Sequence, residues 1–437
     1  MEAEGATQNG PLEFIFVLES KLDPAHAAIT QLLLNRQQGP SKGFQYQSKA
    51  TVAEQHHPQS EHQQHSSEGH GVSGGGDHSS EERTHRVVFS GAATRTSQKI
   101  HNLIAGLRAA EPHHAYALCL DDDVQLQPAL LASLVRDMEL DPSLFMATGY
   151  PFDVPPEGAN LLTYCVMSYH LPLVIAFSVR QVPPPQRIEF VWGGCQLFRL
   201  ASMQEDTHGL LKAWSDGGYS DDLTVASKCT EQGLVIYCPS YAIFPQWVDG
   251  DYTPRRWWNY LRRQLYVLDT YSNAHNRRTN HIMALLHCYG SWGWVIPATT
   301  AAARLLLWLL AVLLLPSQHV YGGPEESSYL WLQMFGLEGC QRGAASWLVF
   351  VAFTAYMMCT LRWMTGVILA LFRQLNPTLD PRRLDTFSWW KVWAGFYISN
   401  LITPFCLAYT FLTPHINWSG ITYTRRRGKV HTVRHGS

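Results

Sequence analysis

The sequence predicts an α/β domain with a largely parallel sheet, followed by an α-helical transmembrane region. Three observations carry this. Strand, helix and strand alternate through the first 280 residues; from about Met283 onward long stretches are nearly free of charge; and tryptophans and tyrosines gather at the edges of those stretches.

Pro11–Ser20 is an apolar, β-rich run that reads as a buried strand, and Asp23-Pro24 opens a helix through Leu34. Between residues 37 and 86 the chain turns to His, Gln, Ser, Gly and Glu, including His56, His57, His62, His65, His70, His78 and three consecutive glycines at 74–76. That composition predicts a disordered insertion, and the irregular histidine spacing argues against a metal site. Order resumes at Val87-Val88-Phe89, a helix is expected over Ser97–Leu107, and Ala115–Leu120 is a strand that ends in Asp121, Asp122 and Asp123. The cytosolic α/β domain therefore covers 1–36 and 87–280, with ligands expected at the strand C-termini.

Leu161–Val182 is apolar but holds His170, Pro172 and Arg180, and reads either as a core helix or as one lying in the membrane interface. The transmembrane region spans 281–415 with three hydrophobic segments at 291–316, 345–371 and 389–413, each long enough for a hydrocarbon core of ~30 Å. Basic residues before the first segment (Arg255 to Arg278) and between the second and third (Arg373, Arg382, Arg383, Lys391) place the α/β domain in the cytosol. Three full crossings would then carry the basic tail at 416–437 to the lumen, so either one segment is re-entrant or doubled, or the tail departs from the rule. Arg304 makes the first segment the best place for a break, because an unpaired charge at mid-bilayer is costly.

Net charge −2 and a pI near 6.8 give no basic surplus to neutralise nucleic-acid phosphates. Nine cysteines are scattered without Cys-x-x-Cys spacing, as reduced cytosolic thiols would be. Met1–Gly10 is polar and shows no signal peptide, which leaves targeting to internal spans.

Candidate chemistry begins at the aspartate triplet. Three like charges after an apolar strand are best tolerated beside a cation, and strand alternation turns Asp121 and Asp123 to one face, with Asp122 turned away. Their hard oxygens suit Mg²⁺ or Mn²⁺ shared with phosphate. An exposed acidic turn capping the next helix is the equal alternative. Ser220-Asp221-Asp222 reads as a helix N-cap with acids on the dipole, or as the seat of a general base. In Phe190–Cys195, two glycines behind Trp192 allow close backbone approach to a ligand, or a tight turn. Tyr252–Tyr260 sets cations beside aromatics, for membrane anchoring or for contact with a diphosphate and sugar.

Taken in order, several stretches resemble ceramide glucosyltransferases of the plant and algal type, inverting glycosyltransferases with a GT-A-type (Rossmann-like) fold. They are Gly10–Ser20 with Asp23-Pro24; Ser97–Asn102; Leu120–Val124; Tyr169–Pro172; Phe190–Cys195; Gly218–Asp222; Trp258–Arg262; and Trp418–Ile421. The resemblance implies that Glu19 and Asp23 lie near the nucleobase and ribose, and that Lys99, Arg256, Trp257 and Trp258 also bind the donor. It implies that Asp121 and Asp123 hold the metal, Mg²⁺ or Mn²⁺, and the diphosphate, and that Asp222 deprotonates the acceptor. Tyr169, His170, Trp192, Gly193, Gly194 and Cys195 line the acceptor pocket on the same basis. The implied donor is UDP-glucose, the acceptor ceramide, the setting the lipid bilayer of the Golgi or endoplasmic reticulum. Two departures stand out. The family begins with a membrane anchor and a nucleotide-binding first strand, whereas this chain starts at what corresponds to the second strand. Its (Q/R)xxRW element is not literal, since Thr253 stands where Gln or Arg precedes Arg256-Trp257. The rival expectations are a polysaccharide synthase, a polyprenyl-phosphate glycosyltransferase, or a non-catalytic membrane relative.

Overall fold

The computed structural model describes residues 12–37, 83–127, 129–179, 187–314, 337–377, 384 and 387–436. The chain forms two compact units, 1–89 and 90–437. Most of the expected insertion lies outside the described residues.

In the first unit, strand β1 (Leu12–Leu18) pairs in parallel with β2 (Arg83–Phe89), from Leu12↔Arg83 to Leu18↔Phe89, and helix α1 (Pro24–Gln37) connects onward from β1. Asp23 starts α1, its carboxylate accepting the Ala25 N–H at 3.0 Å. The second strand begins at Arg83, four residues before the expected Val87. Its polar first half is held by the ladder itself, by an ion pair from Arg86 to Glu13, and by His85 stacking on Phe14 at 5.3 Å. Composition alone reads such residues as insertion.

The second unit runs α2 (Gln98–Ala109), β3 (Tyr116–Leu120), α3 (Leu130–Leu140), β4 (Leu144–Thr148), β5 (Tyr150–Val154), α4 (Leu161–Val179), β6 (Arg187–Ile188) and β7 (Cys195–Arg199). It continues through α5 (Leu200–Gln204), α6 (Leu210–Ser215), α7 (Asp221–Gln232), β8 (Val235–Tyr237), β9 (Ile243–Trp247) and α8 (Pro254–Tyr266). Five strands form one sheet in the order β3-β7-β4-β8-β6, and β5 pairs in parallel with β9. The five-stranded sheet is mixed rather than largely parallel. Strand β7 runs antiparallel to both β3 and β4, β6 runs antiparallel to β8, and only β4 and β8 are parallel. Buried strands of either direction are apolar runs, so pattern does not reveal that one turns back. Ile100, Met146, Phe198 and Trp214 fill one core, and Leu134, Met138, Leu197 and Phe244 another.

Three long helices come next: α9 (Ala274–Leu314), α10 (Leu337–Leu375) and α11 (Trp389–Leu412). Two stretches, Val351–Leu375 and Trp389–Leu412, are long and apolar enough to cross a membrane. The described part of the first predicted segment, 291–314, forms the end of α9, which continues unbroken through Arg304 and contains Pro297. The break expected there does not occur, because a helix satisfies its own backbone whatever one side chain costs. The first half of α4 is a core helix: Tyr164, Cys165 and Val166 are buried, and Ser399 of α11 donates to the Cys165 carbonyl at 2.8 Å.

The expected basic tail at 416–437 is instead an antiparallel meander, β10 (His415–Trp418), β11 (Ile421–Arg426) and β12 (Lys429–His435). Its two turns are Ser419-Gly420 and Arg427-Gly428, all four with positive φ, the tight two-residue hairpin geometry in which glycine is favoured. The meander docks on the α/β domain: Val430 N–H donates to Gly217 O at 2.8 Å, and Gln98 N–H to the Tyr423 hydroxyl at 3.1 Å. The meander and the α/β domain therefore lie on the same side of any bilayer that the long helices enter.

Candidate active site

Strand β3 ends at Leu120, paired with Cys195, and the Asp121 N–H closes one more rung on Gly194 O at 3.2 Å. The chain then turns, Val124 N–H reaching Asp121 O at 3.3 Å. Strand alternation therefore does not extend into the triplet. Asp121 is half-buried, while Asp122 and Asp123 are both exposed on the turn, so the separation into two facing carboxylates and one turned away is not set by the pleat.

Lys99 organises this corner. Ser97 caps α2 by accepting the Ile100 N–H, which puts Lys99 in the first turn of the helix. Its Nζ lies 2.8 Å from Asp121 Oδ1, 3.3 Å from Asp221 Oδ2 and 3.1 Å from Gly193 O. Asp221, the first residue of α7, is buried and accepts Gln196 Nε2 at 2.6 Å. Burial opposes the Lys99 charge, but Asp221 and then Asp121 outweigh it and hold the ammonium well above the usual lysine range. Burial pushes the Asp121 carboxyl up to about 6 despite Lys99.

Asp222 is next on α7. It accepts from Ser220 Oγ and, at 2.7 Å, from the Leu223 N–H, and its carboxyl is pushed up to about 6 by burial and by the charge of Asp221. The Asp123 carboxyl, though exposed at its outer side, is raised by the loss of water on its inner side and by the charge of Asp122, and Gln246 of β9 donates to it at 3.3 Å.

Gly193 and Gly194 make room for the protein's own groups. A Cβ on Gly193 would stand 2.8 Å from both Lys99 Nζ and Asp221 Oδ2, and one on Gly194 would run into the Trp192 indole. Trp192 packs on Phe244 at 5.2 Å. Cys195 is buried in the core, its thiol raised by burial.

Tyr169 and His170 lie on α4. His170 Nδ1 is 2.9 Å from the buried Asp153 carboxylate, and its Nε2 3.0 Å from the Tyr260 hydroxyl. The Tyr169 phenol is raised by burial and next by the charge of Asp222. Arg256 pairs with Asp249 and, at 3.6 Å, with Asp251, and lies 4.9 Å from the Tyr252 ring. Trp257 is buried with Cys165 and Leu261, and Trp258 packs on Tyr409 of α11 at 5.8 Å. Among the described contacts, none joins Arg256, Trp257 or Trp258 to the Lys99 corner. Glu19 and Asp23 belong to the other unit, Glu19 just past β1 and Asp23 at the start of α1.

The structure thus brings together Lys99, Asp121, Gly193 and Asp222 from the predicted set. It adds Asp221 and Gln196 as direct partners, with Gln246 reaching Asp123, while Asp153 and Tyr260 hold His170. The Asp221-Asp222 pair was visible as a cap. Gln196, a polar residue in an apolar strand, was the available signal for a buried partner.

Among the described residues no three His, Cys, Asp or Glu side chains close on one point. A turn bearing three carboxylates, two of them exposed, nevertheless suits a small divalent cation, which commonly takes one or two carboxylates and completes its shell with phosphate oxygens and water. No family model and no curated protein matches the chain.

Proposed function

We propose that this protein is a GT-A-type enzyme that transfers glucose from UDP-glucose to the primary hydroxyl of ceramide with inversion, at a cytosol-facing site on a Golgi or endoplasmic reticulum membrane. The observation that supports it most directly is the Lys99 corner: a turn with three carboxylates at a strand end, tied through one ammonium to the helix start that carries Asp222. Those residues belong to motifs that resemble the family in order along the chain.

In this reading Asp222 accepts the proton of the ceramide hydroxyl as its oxygen attacks the anomeric carbon. The bond from that carbon to the UDP oxygen breaks on the opposite face, and UDP leaves with the electron pair. A carboxyl near 6 is ionised at cytosolic pH yet basic enough to take a proton. Lys99 holds Asp121 and Asp221 in register, fixing α7 against β3. Asp121 and Asp123 would hold Mg²⁺ or Mn²⁺, which supplies positive charge to the departing diphosphate. Tyr169 and His170, carried on α4, would line the acceptor pocket.

Microsomes from cells expressing the chain should form glucosylceramide from ceramide and UDP-glucose with Mn²⁺ or Mg²⁺ present; absence of product sinks the proposal. One observation favours a non-catalytic relative: Asp222 is engaged as a helix-start acid by Ser220 and the Leu223 N–H. Calorimetric titration with UDP and Mn²⁺ separates the two, because a scaffold need bind neither.

A further inference from the structure

We propose that Arg277, Arg278, Arg426 and Arg427 form one cationic surface that binds the headgroups of anionic phospholipids. The two pairs lie far apart in sequence and meet over one ring. Tyr271 donates its N–H to Gly428 O at 2.9 Å, and Gly428 lies so close to the Tyr271 ring that a Cβ there would stand 2.6 Å from its atoms. The Arg277 guanidinium lies 5.6 Å from the same ring. The turn that presents Arg426 and Arg427 is thereby set beside Arg277 at the start of α9, where the next residue, Arg278, is also exposed.

All four arginines are exposed, and among the described residues none has a carboxylate partner. Their basic neighbours are spent differently: Arg425 is buried against Asp269 and Lys429 pairs with Asp216. Glu231, the other nearby acid, is held by Lys228 and Asn273. The surface therefore keeps its charge.

The next residues of α9 select the partner. Ile282, Met283, Leu285, Leu286 and Tyr289 are between 49% and 80% exposed, beginning about 6 Å along the axis from Arg278 at ~1.5 Å rise per residue. Cations succeeded within one turn by outward apolar side chains match a membrane boundary, with phosphates at the cations and acyl chains beyond. A soluble acidic protein would not need the apolar continuation. The inference rests on α9 entering a bilayer, a reading separate from catalysis.

The full chain is expressed in membranes containing phosphatidylcholine and phosphatidylserine, excised with its surrounding lipid in polymer-bounded discs, and the lipid is quantified. Phosphatidylserine should be enriched at least about threefold over the bulk membrane, since each surface arginine favours anionic lipid by roughly fivefold. Enrichment should fall to the bulk ratio in Arg277→Gln/Arg278→Gln/Arg426→Gln/Arg427→Gln and persist in the matching four-lysine variant. Equal enrichment in wild type and the glutamine variant, or none in wild type, overturns the proposal. If the glutamine variant is not recovered, Arg277→Gln/Arg278→Gln is read instead and should lose at least half of the enrichment; unchanged enrichment overturns the proposal equally. Release of the protein by an alkaline carbonate wash would overturn the membrane reading itself, and the lipid surface with it.

Discussion

Lys99 and the two aspartates that begin α7 divide structure from chemistry within a few ångströms. Asp221 is buried with Lys99 Nζ at 3.3 Å and Gln196 Nε2 at 2.6 Å, so Asp221→Asn leaves a buried ammonium short of a partner. Breaking a buried pair from one side costs about 3 kcal/mol or more, and because Asp121 remains beside Lys99 the lower figure is expected, read as a fall in denaturation midpoint. Asp222→Asn keeps an oxygen to accept the Leu223 N–H and should leave the midpoint nearly unchanged; on the proposed function it should also cut glucosylceramide formation by about 100-fold or more, the usual contribution of a general base. Equal damage to stability from both would remove the distinction. The pH dependence is set by the same residue. If Asp222 is the proposed base it works deprotonated, and burial with the Asp221 charge raises it to about 6 in the free protein, so kcat/KM should be flat at neutral pH and fall as pH drops through about 6. A limb near the ordinary carboxylate value would place the base elsewhere.

Elements are placed here by close backbone approach as much as by apolar pattern. Gly395 of α11 lies against the backbone of α4, where an added Cβ would stand 2.8 Å from the Tyr164 carbonyl. Backbone does not yield as a flexible side chain does. Gly395→Ala should force α4 and α11 apart and cost about 1–3 kcal/mol, and because Tyr169 and His170 ride on α4, activity should fall with it. A melting curve and turnover within error of wild type would show that the two helices are held by other contacts. The sequence made α4 legible as a helix, yet left it between core and interface. Its own residues, apolar on several sides, fit either, and only Ser399 and Gly395, more than two hundred positions away, settle the first half as core.

At the scale of the molecule, the last residues close the second unit. Tyr423, Ile416, Ile421 and Val430 pack with Tyr219 and Tyr266 in one cluster, and the Tyr423 hydroxyl receives the N–H that precedes Lys99. Arg425 is the pivot, its Nε 2.8 Å from Asp269 Oδ2 and its guanidinium 4.4 Å from the Tyr266 ring, with its Nη2 donating to Thr410 O at 2.8 Å. Arg425→Ala should cost about 3 kcal/mol, since it strips a buried ion pair and its hydrogen bonds together. Loosened β11 should also lower activity by freeing the start of α2. An Arg425→Ala protein as stable as wild type would mean the meander is an appendage.

By itself the sequence determined the alternation of strands and helices, the apolar C-terminal helices, and the acids at Asp121 and Asp222 as candidates for chemistry. These are local properties: a strand end, a helix cap or an apolar run is written in consecutive residues. Only the tertiary structure decided that β7 runs back through the sheet, that the basic tail is a docked meander, that Gly193 makes room for an ion pair, and that Asp221 rather than Asp222 meets Lys99. Each depends on a partner distant in the chain, and a residue's own neighbours in sequence carry no record of which distant group it will meet. The aspartate triplet shows the boundary most closely. Its charge was legible at once, but its turn, its half-burial and its lysine were set by Gly194, by α2 and by α7.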